Sequence, residues 1–131
     1  MRGFRTLFIS ILLLAVGAEA AADQLFVRNK PFKGVVVGNG DQMYVELEAL
    51  TRAVDMQIVV FNGASVIGTP PDQVEPGTVV VNKEVVPSRP GPQAGQVLVS
   101  LKDFARVTRC KLNVNPALKT VDLYLPSSSA G

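Results

Sequence analysis

The sequence predicts an α+β fold made of two similar strand–strand–strand–helix–hairpin units, with short helices packed on twisted antiparallel sheet. Three observations predict it. Short β-branched runs are bounded by Gly, Pro and Asn. Twice, this strand-like pattern gives way to the i, i+3, i+7 spacing of an amphipathic helix. Finally, the phrase MYVELEALTRAVDMQIVV (43–60) returns 54 residues later as VLVSLKDFARVTRCKLNV (97–114), keeping Val45 with Val99, Leu47 with Leu101, Arg52 with Arg106 and Val60 with Val114.

Residues 1–22 read as a secretory signal peptide. Arg2 and Arg5 precede a short apolar run from Leu7 to Val16, and small residues place cleavage near Ala20 or Ala22. The apolar run is about half the ~20 residues that a spanning helix needs, so no membrane span is expected after signal cleavage and the location expected is secreted or periplasmic. The remaining chain is the size of one domain, large enough to fold without disulfide staples. Cys110 is the only cysteine, which rules out an intramolecular disulfide framework. The formal charge of +2 falls by one when Arg2, Arg5 and Glu19 leave with the signal. So balanced a composition carries no footprint for nucleic acid.

The domain expected is 23–125, with repeat units at about 25–67 and 79–125, a linker at 68–78 and a disordered tail at 126–131. LFVRNKPFKGVVV (25–37) gives two β-rich runs broken near Asn29-Lys30-Pro31, and GNGD (38–41) is a turn. Leu47, Leu50 and Val54, with Ala53 beside them, then form one helical stripe, with Glu46 and Glu48 in the first turn where the helix dipole favours negative charge. MQIVVF and ASVIG flank Asn62-Gly63, the dipeptide most favoured in a two-residue hairpin turn. The linker GTPPDQVEPGT holds three prolines and two glycines and predicts no regular structure.

In the second unit VVVNKEVV parallels LFVRNKPF, with Asn82-Lys83 placed opposite Asn29-Lys30, and SRPGPQAGQ (88–96) stands where the first unit has its glycine turn. Ser100 and Asp103 have capping-box spacing ahead of a helix whose face is Leu101, Phe104, Ala105 and Thr108. CKLNV, NPALK and TVDLYL give strand, turn and strand, with Val121, Leu123 and Leu125 inward.

The phrase MYVELEALTRAVDMQIVVFNGASVI, echoed by VLVSLKDFARVTRCKLNVNPALKTVDLYL, resembles the repeat of the copper amine oxidase N-terminal-like domain, or stalk domain. The family's usual proline is Glu46 in one copy and Ser100 in the other. Its helix-closing glycine is Asp55 and Arg109, and Leu98 replaces the aromatic residue of Tyr44. The resemblance implies a non-catalytic α+β module. The stretch from Leu101 to Leu125 is also similar to the helix, strand and hairpin phrase of secretin N-terminal domains, which gives a secretion or pilus assembly as the alternative setting.

The chain contains no histidine, which removes imidazole ligands, Ser-His-Asp triads and Cys-His dyads. Cys110 stands between Arg109 and Lys111, cations that favour a thiolate, yet it also aligns with Met56 at a position that reads as apolar packing. Glu46 and Glu48 are two apart on a helix and do not face each other as an acid/base pair. No catalytic residue, cofactor or metal is therefore expected. The partner expected is a protein or a cell-envelope polymer. The candidate contacts are Tyr44 and Tyr124 as exposed aromatics and, in the proline-rich loops, Pro70, Pro71, Arg89 and Pro90.

Overall fold

Two pairs of consecutive residues with left-handed backbone, Arg28-Asn29 (φ +54°, +66°) and Asn82-Lys83 (φ +48°, +73°), begin the two copies of the fold. Each is the two-residue hairpin turn that matches strand twist only when both central residues have positive φ. In the computed structural model, which describes residues 23–126, these turns lie 54 residues apart. The true partner of Asn82-Lys83 is thus Arg28-Asn29, one residue earlier than the shared letters suggest. The expected signal peptide (1–22) and residues 127–131 of the expected tail lie outside the described residues.

The first copy runs β1 (Gln24–Val27), β2 (Lys30–Pro31), β3 (Val36–Val37), a 3-10 turn (Gly40–Gln42), β4 (Tyr44–Glu46), α1 (Leu47–Ala53), β5 (Ile58–Phe61) and β6 (Ala64–Ile67). The second runs β7 (Val79–Val81), β8 (Glu84–Val86), β9 (Ser88–Pro90), β10 (Val97–Ser100), α2 (Leu101–Thr108), β11 (Lys111–Asn115) and β12 (Thr120–Tyr124). The α+β class and its repetition in two copies are as the sequence predicts. Each copy, however, places four strands rather than three ahead of its helix: Lys30–Pro31, expected as a break between runs, is a strand, and Ser88, Arg89 and Pro90 form a strand, not the start of a turn. β9 is an edge strand, where the missing N–H of Pro90 costs no ladder bond.

The strands form three four-stranded sheets, ordered β9-β10-β4-β3, β11-β12-β1-β2 and β5-β6-β7-β8. At the centre, β10 pairs antiparallel with β4 so that Val99 faces Val45, Leu98 faces Glu46 and Ser100 faces Tyr44. Because each residue of one strand is the 54-residue equivalent of one in the other, exchanging the copies maps this pairing onto itself. Val45 and Val99 lie on that pseudo-twofold axis, and both are 0% exposed. Burying each contributes about 1.5–3 kcal/mol.

The outer sheets each mix the two copies. β12, the last strand of copy two, pairs in parallel with β1, the first of copy one. β6, the last of copy one, pairs in parallel with β7, the first of copy two. One core cluster consequently contains Leu25, Val45 and Leu50 from the first copy together with Val81, Phe104 and Leu123 from the second. Segment 68–78 has no helix or strand but is well anchored. It crosses the outside of its sheet, where Val74 covers Ala64, Val66 and Val80.

The helices are held differently. α2 has the capping interaction expected of it: Asp103 N–H donates to Ser100 Oγ at 3.3 Å, and the Ser100 hydroxyl donates to Asp103 Oδ2 at 2.7 Å. All four residues expected on its inner face, Leu101, Phe104, Ala105 and Thr108, are buried. At the start of α1, Glu46 makes no side-chain cap and instead accepts Val35 N–H through Oε1 at 3.1 Å. Both helices end on a left-handed residue that is not glycine, Asp55 (φ +59°) and Arg109 (φ +64°). This conformation crowds a Cβ against the backbone and favours glycine. Arg109→Gly is therefore expected to raise stability by about 0.5–1 kcal/mol in urea titrations, while Arg109→Ala, which keeps the Cβ, gives no comparable gain.

Candidate functional site

The expected contact residues fall into three separate places. Tyr44 and Arg89 are brought together in the central sheet, with the guanidinium carbon 4.0 Å from the ring centroid, a cation–π stack. Arg89 and Glu46 flank Leu98 in register, so the stack closes over this buried leucine. Tyr44 is thus half-buried and engaged within the molecule, while Pro90 ends the same edge strand as Arg89. Tyr124 is half-buried on β12, opposite Lys111 on the outward side of its strand. Pro70 is exposed and Pro71 half-buried, both on the crossover between β6 and β7.

A different feature stands out along the sheet edges. Among the described residues there are six edge strands, and edges left open invite pairing with another chain. Five of them carry a blunting device. β2 has Lys30 and Pro31, β8 has Glu84, β9 has Arg89 and Pro90, β11 has Lys111, and β3 is only two residues long. The sixth, β5, reads Ile-Val-Val-Phe, with neither charge nor proline. Val59 is 59% exposed, Val60 75% and Phe61 40%. Alternation puts Val59 and Phe61 on the outer face, in register with Val66 and Ala64. Val60 points the other way, into a groove of about 470 Å3 that it shares with Ser65, Glu46, Glu48 and the loop from Gln93 to Gln96.

The sequence contains the signal for this edge in two forms. No charged residue occurs from Met56 to Pro71, whereas the equivalent hairpin of copy two holds Lys111, Lys119 and Asp122. A second missed feature is a groove of about 750 Å3 between the β1–β2 hairpin and α1, whose wall includes Arg28, Lys30, Lys33 and Arg52. Near-neutral overall charge hides it, because all the balancing carboxylates but Asp55 stand elsewhere.

Cys110 is half-buried at the end of α2. Burial pushes its thiol up in pKa, and the hydroxyl of Thr108, 3.2 Å from the sulfur, opposes that only in part. The same hydroxyl is closer to the carbonyl of Phe104, at 2.7 Å, which claims its proton. A raised pKa favours the protonated thiol near neutrality, opposite to the effect expected of the flanking cations. Among the described residues, no three of His, Cys, Asp and Glu are grouped as metal ligands, and no helix is long and apolar enough to cross a membrane. Compared with protein-family models, curated proteins and solved structures, the chain matches none.

The charged cluster of copy two makes a pH prediction. Asp103 is held below the usual carboxylate range by its hydrogen bond with Ser100 and next by Arg106, effects that exceed the opposing effect of burial. A carboxylate whose folded pKa lies below its unfolded value of about 3.9 contributes stability above that value and loses it as pH falls through the folded pKa. The stability difference between the protein and Asp103→Asn is therefore expected to be constant near neutrality and to shrink below about pH 4 in denaturant titrations.

Proposed function

We propose that the chain is an exported, non-catalytic binding or structural module of the copper amine oxidase N-terminal-like kind, secreted or periplasmic. In this reading it engages another protein of the cell envelope by strand addition along β5. The observation that carries the proposal is the contrast among edges: five are blunted, and the one left open is apolar on both faces. An added strand would satisfy the free backbone groups of β5, lay alternate side chains on Val59 and Phe61, and place the others toward the groove beside Val60. Each backbone hydrogen bond gained contributes only about 0.5–1.5 kcal/mol, so a four-residue edge gives selectivity through its side-chain contacts rather than through the ladder alone. The absence of histidine and the half-buried, proton-retaining Cys110 favour binding over catalysis or thiol chemistry.

Val60→Lys tests this, because it places a charge on the open edge at a position already 75% exposed. The variant is expected to keep the parent's thermal midpoint but to lose capture of the partner from envelope extracts. In the parent complex, amide exchange should slow along Ile58 to Phe61. Capture that survives Val60→Lys, or protection confined to another face, would contradict strand addition at β5.

A further inference from the structure

Arg52 and Arg106 are the same residue at equivalent positions of the two copies, yet their surroundings carry opposite charge. In copy two, Arg106 Nη2 is 2.6 Å from Glu84 Oε2 and 3.2 Å from Asp103 Oδ1. The positions 54 residues earlier are Lys30, where Glu84 has its counterpart, and Ala49, where Asp103 has its own. The strand pairing confirms the equivalence, since Lys30 faces Val27 as Glu84 faces Val81. Arg52 thus lacks both carboxylates that neutralise Arg106, and one of them has become a second cation. Among the described residues neither Arg52, Lys30 nor Lys33 has a carboxylate within salt-bridge distance.

The backbone around these cations also differs between the copies. Phe32 corresponds to Val86, and the backbone bond from Glu46 N–H to Val35 O corresponds to that from Ser100 N–H to Pro87 O. Copy one therefore carries two additional residues here, Lys33 and Gly34. Gly34 sits so close to the helix that a Cβ on it would lie 2.5 Å from that of Ala49, and the groove of about 750 Å3 lies along this contact. Its apolar floor includes Phe32, Ala49 and Ala53, and its charged wall is Arg28, Lys30, Lys33 and Arg52 against a single carboxylate, Asp55. Asp55 Oδ2 is 3.0 Å from Arg28 Nη1, and both groups are exposed, so solvent weakens that pair.

We propose that this groove binds a polyanion: a ligand bearing two or more phosphate or carboxylate groups on a body with one apolar face. The volume is that of a small-ligand site, a recess lined by one sign of charge concentrates the opposite sign, and an arginine released from its internal partners offers its forked donors to an oxyanion. This site is independent of strand addition, since β5 belongs to another sheet.

Copy two supplies the design of the test. Lys30→Glu, at an exposed position, returns to Arg52 the carboxylate that Glu84 gives Arg106, and Ala49 is left unchanged because it is buried against Gly34. The intact mature chain is titrated by calorimetry with tripolyphosphate and with trigalacturonate, which separate phosphate from carboxylate ligands. Binding of either probe is expected, weakening as salt rises from about 50 to about 200 mM, and falling at least about tenfold in Lys30→Glu. Arg52→Gln, at an exposed position, should lower binding in the same way without adding a carboxylate, whereas Arg106→Gln should leave it unchanged. In spectra of the amides, shifts should be confined to Arg28–Gly34 and α1. Failure of both probes to bind, equal binding by Arg52→Gln, or an equal loss in Arg106→Gln would each overturn the proposal. None of these outcomes bears on capture through β5.

Discussion

Everything in this structure depends on the antiparallel pairing of β4 with β10 around Val45 and Val99. It is the one place where the copies meet as equals, and it sets the positions of the other two sheets. Once these strands are in register, the first hairpin of copy one lies beside the last strand of copy two, and the converse holds on the other side. Each outer sheet is completed by a hairpin from the opposite copy. A single copy would leave both of its hairpins with an open edge and its share of the core exposed to water, the two things a small β-rich unit tolerates least. The two halves are thus joined by exchange rather than by contact between finished surfaces.

Duplication also makes the chain its own control. Positions that hold the central pairing and the helix faces stay apolar in both copies: Val45 and Val99, Leu47 and Leu101, Leu50 and Phe104 are all buried. What lies outside that requirement has diverged. One helix begins on a capped serine and the other on a glutamate turned to bond the backbone of the preceding loop. The edge hairpin of copy two bears lysines while that of copy one bears none, and the arginine shared by both helices is paired with carboxylates in one and, among the described residues, has none within reach in the other. Both proposed binding surfaces lie where packing imposes no common answer.

Local features were legible in the sequence. The capping spacing of Ser100 and Asp103, the inner face of α2 and the Asn62-Gly63 turn are all decided within a few residues, and the structure contains each of them. Features that depend on distant partners were harder to read. The Ser88–Pro90 strand looks like a turn because its prolines and neighbouring glycines signal one, and only its edge position makes them compatible with a sheet. Arginine is a poor marker for positive φ, so the matching Asn-Lys letters place the first turn one residue later than Arg28-Asn29, where it stands. Exchange of hairpins leaves no periodic trace, since a strand alternates identically whichever strand it joins. The cationic groove had a readable signal in Lys30 against Glu84 and Ala49 against Asp103, but it becomes visible only when the copies are compared position by position.

The exchange of hairpins is tested most directly by dividing the protein within the crossover, between Gly77 and Thr78, and recording amide spectra of the two fragments apart and together. Each fragment alone should give the narrow dispersion of an unfolded chain, and mixing should restore the dispersed spectrum of the intact protein. A fragment that folds by itself would show that its hairpins need no partner from the other copy, and would contradict the account.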